Sequence, residues 1–168
     1  MRRRFTRKQV PDRLRPAHQV FLEQAERLGQ ARRALLSCLP VGRVDPAPVG
    51  VGLDLLDDEL TALRAALPGW RCPEIEDEWQ ACLAALEESQ GAIAPARAVA
   101  QRSAELRLRR GEGPAGGRTA PAEGRSSWGG LRLRRGELTE LRGAVEDVDE
   151  PLGHAWQRAE RAWRALRR

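Results

Sequence analysis

Apolar residues recur three and four positions apart over most of this chain, and nowhere do they alternate with period two over a useful length. That spacing lines one face of a helix, whereas a half-buried strand needs alternation. From about Asp12 to Leu39 the stripe is Leu14, Ala17, Phe21, Leu28, Ala31, Leu35 and Cys38. Pro16 falls in the first turn, where a missing N–H costs little, and Pro40 closes the segment. Residues 40–52, with three Pro and three Gly, read as an extended connection. Leu53, Leu56, Leu60, Leu63 and Leu67 then form a short helix ended by Pro68-Gly69. A third helix opens at Pro73 and carries Ile75, Trp79, Cys82, Leu86, Ile93, Val99 and Leu106. The last, from Glu137 to about Leu166, carries Leu138, Leu141, Val145, Val148, Leu152, Trp156, Trp163 and Leu166. Trp79, Trp156 and Trp163 lie on these stripes and are expected to be buried. The fold class that follows is all-α, a four-helix up-and-down bundle with three long helices and one short.

Charge agrees with these boundaries. Asp54, Asp57, Asp58 and Glu59 crowd the start of the second helix. Glu74, Glu76, Asp77 and Glu78 open the third, and Arg107, Arg109 and Arg110 end it. The helix dipole favours acid at the start and base at the end. Pro95 and Pro151 interrupt the third and fourth helices and should kink or break them. In an antiparallel hairpin the two prolines would lie at one level.

The segment Leu106-Arg-Leu-Arg-Arg-Gly-Glu112 recurs unchanged at Leu131 to Glu137. Between the copies runs a Gly-, Pro-, Ser- and Ala-rich tract. Deleting one 25-residue unit would bring Leu106 and Leu138 seven apart, in helical register. The tract therefore reads as a duplication inserted into a helical protein. Residues 111–130 are expected to form a long mobile loop before the last helix, with Trp128 exposed. The organisation is then a basic N-terminal arm, 1–11, and one helical domain, 12–168, carrying that insertion.

With 168 residues, 41% of them hydrophobic, the chain is long enough to bury a core. No apolar run approaches the ~20 residues of a membrane span. Arg2, Arg3 and Arg4 suggest an export signal, but Gln9, Pro11, Asp12 and Arg13 follow instead of an apolar core. Arg is abundant, Lys8 is the single lysine, and Asn and Tyr are absent. Codon usage in a high-GC bacterial genome accounts for this pattern. Net charge is +7 over residues 1–40, −8 over 41–95, +7 over 96–136 and −1 over 137–168. Pairing between the first two blocks is one reading, and solvated helix faces are the other. Cys38, Cys72 and Cys82 form no CxxC pair and read as reduced core residues of a cytoplasmic protein.

Chemistry is sparse. His18 and His154 are the only histidines, and Glu150 with His154 does not make the paired Glu-x-x-His pattern of di-iron bundles. No metal, cofactor, small-molecule substrate or catalytic group is expected. Arg2, Arg3, Arg4, Arg7 and Lys8 form a basic arm. At a hairpin tip, Arg107, Arg109 and Arg110 would approach Arg132, Arg134 and Arg135 and attract phosphates. Trp128-Gly129-Gly130 resembles the W-x-G turn of the WXG100 group of secreted helical hairpins. That resemblance implies a helical secretion substrate, although the group's tyrosine-containing export signal has no counterpart in a chain without Tyr. The leading expectation is a non-catalytic bundle acting by protein–protein interaction or self-association. Nucleic-acid or polyanion binding is the alternative, and a WXG100-like secreted protein the second alternative.

Overall fold

The computed structural model describes residues 11–39, 45–109 and 135–166. Among them four α-helices account for nearly everything: α1 (Arg15–Ser37), α2 (Pro46–Ala66), α3 (Glu76–Arg109) and α4 (Arg135–Leu166). Single 3₁₀ turns at Asp12–Leu14, Leu67–Trp70 and Pro73–Ile75 lead into or out of them. No strand occurs among the described residues. The expected loop 111–130, with Trp128, lies outside those residues, as does most of the basic arm.

Each helix runs antiparallel to the next. Gly52 of α2 meets Leu35 of α1, and Gly69, in the 3₁₀ turn after α2, meets Ala17. Arg97 bonds Asp54, and Arg107 bonds Asp45, between α2 and α3. Ser89 Oγ donates to the Val148 carbonyl at 2.8 Å, and Arg102 pairs with Glu140, between α3 and α4. Arg32–Asp149 and His18–Trp163 close the ring from α1 to α4. The result is the up-and-down bundle that the stripes imply. Its core runs the full length, from Leu14 and Trp163 at one end to Val49 and Leu141 at the other.

Three details differ from the expectation. First, α2 begins at Pro46, so residues 46–52 are helical rather than extended. Asp45 is the N-cap, its carboxylate accepting from Ala47 N at 3.2 Å. Pro46 and Pro48 fall in the first turn, where no intrahelical partner is lost. Second, α3 and α4 run unbroken through Pro95 and Pro151. Pro95 lines a hollow with Gly143 and Ala144, so it lies roughly two turns from the level of Pro151. Third, beyond Ile93 the buried face of α3 passes through Ala96, Ala100, Ser103 and Arg107, and Leu106 is exposed. In α4 it passes through Ala155, Ala159 and Ala162, and Trp156 is 46% exposed. Small residues let α3 and α4 approach closely and hold the register, which pushes the larger neighbours to the flank.

Among the described residues the acidic block makes more ion pairs with the third block than with the first. Arg97 joins Asp54 and Asp57, and Arg107 joins Asp45, while Arg13–Glu74 links the first block to the second. Glu76 accepts a two-pronged bond from Arg71, at 2.9 and 2.7 Å, which holds its carboxyl below the usual range.

Candidate interaction groove between the first and last helices

α1 and α4 are the neighbours that pack least closely. Long side chains bridge them instead. Arg32 reaches across from α1 and bonds Asp149 with two nitrogens, one contact being 2.9 Å. That bond, with the charge of Asp149, raises the guanidinium pKa further. Beside this clamp lies a groove of about 200 Å³. Leu28 and Leu152 are its buried floor, and Gly29, Arg33, Leu36 and Trp156 line the rest.

The groove follows from the helical register. Gly29, Arg33 and Leu36 are four and three apart, hence on one face of α1. Gly29 contributes no side chain, so α1 is thin where α4 offers Trp156. Adding a Cβ at Gly29 would bring it 3.5 Å from Arg33 Nη1, so the guanidinium lies along that wall. Leu22, seven residues before Gly29, and Leu36 are both exposed. With Trp156 they form an apolar border that no described element covers. Arg33 has no ion-pair partner among the described residues, so it is the uncommitted charge of the groove.

The residues expected to bind polyanions are differently placed. Arg2, Arg3, Arg4, Arg7, Lys8, Arg110, Arg132 and Arg134 lie outside the described residues. Arg109 is exposed, 3.9 Å from Glu105, and Arg135 is exposed at the first position of α4. Arg107 does not join them. Its side chain is 7% exposed and donates to Asp45 at 2.8 Å, because it occupies a core position of α3 after Ser103. It links the end of α3 to the cap of α2.

His18 packs against Trp163 with ring centres 3.7 Å apart and planes tilted by 55°, and His154 and Glu150 are exposed on α4. Among the described residues no three His, Cys, Asp or Glu side chains are grouped to hold a metal ion. All three cysteines are free thiols. Burial pushes the Cys82 thiol up to about 12, and burial with a bond to Glu74 pushes Cys72 up. No described helix is long and apolar enough to cross a membrane.

The groove was not anticipated from sequence. Size and spacing place Trp156 on the core stripe, whereas it is half exposed. The signal that pointed elsewhere is the run Ala155, Ala159, Ala162, which carries the 3–4 spacing of Val148 and Leu152 onward. No protein family, curated protein or solved structure matches the chain. The WXG100 likeness rests on Trp128-Gly129-Gly130, outside the described residues.

Proposed function

We propose that this protein is a non-catalytic helical bundle that works by binding another protein, with the α1–α4 groove as its docking surface. The observation that carries the reading is Trp156, half exposed beside Leu36 over an apolar floor. Tryptophan and arginine together are typical of the energetic centre of protein interfaces. A groove between two helices suits an amphipathic helix laid along it. Three free thiols fit a reducing compartment, which favours the cytoplasm.

The test is capture from native cell extract, with and without nuclease. Wild-type bait is compared with Leu36→Glu and Trp156→Glu, both at exposed positions. Partners that survive nuclease and are lost with either variant support the groove. Partners retained by both variants would remove it from consideration.

A second reading is polyanion binding at the end where Arg109 and Arg135 are exposed. It predicts sequence-independent binding to DNA and RNA that weakens steeply with salt, with a log–log slope near −0.9 per duplex phosphate neutralised. Fluorescence anisotropy at low and physiological salt tests it, and no binding at low salt rejects it.

A further inference from the structure

α2 has two faces. Its buried one carries Leu53, Leu56 and Leu60. Its outer one carries Val51, 70% exposed, and Leu55, 44% exposed. Val51 is the most exposed large hydrophobic side chain described. Asp58 follows, so Val51, Leu55 and Asp58 are four and three apart on one stripe. Asp54 and Asp57, on the side toward α3, are tied to Arg97. Asp58 and Glu59 have no ion-pair partner among the described residues. The outer face of α2 is therefore two apolar anchors followed by free acid.

The α1–α4 groove is its complement. It offers an apolar floor, an apolar border at Leu36 and Trp156, and the uncommitted cation Arg33. Leu55 precedes Asp58 by three residues and Gly29 precedes Arg33 by four, so with the helices parallel Leu55 seats near Gly29, and Val51 toward Leu22, when Asp58 meets Arg33. A single molecule cannot fill its own groove this way, because the outer face of α2 points away from the bundle. We infer that the occupant is the outer face of α2 from a second copy of this chain, with Val51 and Leu55 against the groove and Asp58 meeting Arg33. The inference rests on the docking reading above and names its partner. α2 borders neither side of the groove's α4 wall and its outer face points away from the bundle, so one contact is head-to-tail and leaves a groove free on one copy and an α2 face free on the other. Assembly then continues with concentration.

Sedimentation equilibrium from micromolar to millimolar protein tests this. The wild-type mass should rise past that of a dimer, levelling off only where a ring closes. Arg33→Glu, Asp58→Arg and Val51→Asp should each weaken association by about tenfold or more, as truncation at an interface centre does. All three positions are exposed, and circular dichroism should show unchanged helix content. The double variant Arg33→Glu/Asp58→Arg should recover association, since the charges are exchanged. Mixing Val51→Asp, which keeps its groove, with Arg33→Glu, which keeps its α2 face, should give one-to-one dimers that grow no further. A wild-type chain that stays monomeric throughout, a double variant no better than its parents, or a mixture that stays monomeric would each overturn the inference. If the chain is monomeric but groove-dependent capture from extract persists, the second-copy reading falls and the docking reading stands.

Discussion

The two ends of the bundle solve the same packing problem by different means. At one end, where α1 begins and α4 finishes, Phe21 stacks on Trp70 and both meet Trp163 at a tilt, with ring centres 4.5 to 6.0 Å apart. Trp79 lies near them, its indole donating to the Leu67 carbonyl at 2.9 Å. The indole nitrogens of Trp70 and Trp163 are buried without a partner among the described residues. Large apolar area holds that end and tolerates the cost of two unmet donors. At the other end no aromatic side chain occurs among the described residues. Gly52 lets α2 approach Leu35 so closely that an added Cβ would stand 3.2 Å from the Leu35 Cα. There Arg107 and Asp45 supply a polar link where the first end has rings. One end is fastened by volume and the other by absence of volume plus a charge pair whose cation is buried.

This contrast is open to experiment. The largest effect should come from Trp70→Ala, which empties a fully buried site and should cost about 3–5 kcal/mol in urea unfolding. A loss under ~1 kcal/mol would mean the aromatic end is not the stronger clasp. Next, Arg107→Ala should cost about 2 kcal/mol, less than a fully buried pair because Asp45 is half in water. A double-mutant cycle with Asp45→Ala should recover part of that loss as coupling, and additive losses would deny the link. Gly52→Ala should cost about 1 kcal/mol, overpacking against Leu35 outweighing the gain in helix propensity. Gly50→Ala, two residues away and with nothing within 4 Å of the added Cβ, should instead stabilise by about 0.5–1 kcal/mol. Opposite signs at Gly50 and Gly52 identify the close approach. Like signs would mean that the helices have room to spare.

The architecture was legible because leucine spacing is a strong signal. Leu53, Leu56, Leu60 and Leu63 are all buried in α2, as the stripe requires. What was not legible shares one cause. Where the core continues through small residues, as at Ala96 and Ala100 or Ala155 and Ala159, spacing read from large residues drifts off the buried face. In that way Leu106 and Trp156 fall on the stripe read from sequence, and Arg107 falls off it. The early start of α2 was hidden differently. Prolines usually mark connections, and only a cap such as Asp45 shows that Pro46 is a first-turn residue. The groove depends on Gly29, whose effect appears only once α4 lies beside α1.

The α1–α4 seam also carries a consequence for the order of folding. Arg32 and Asp149 are 117 residues apart in sequence, whereas α1–α2, α2–α3 and α3–α4 join immediate neighbours along the chain. Contacts between distant segments close the largest loops and tend to form late. The last joint to zip is then also the least tightly packed. It should be the first to part in native-state fluctuations, with amides facing it exchanging ahead of those in the α3–α4 seam. A partner docking in the proposed groove would enter at the point where the molecule gives up least of its own cohesion.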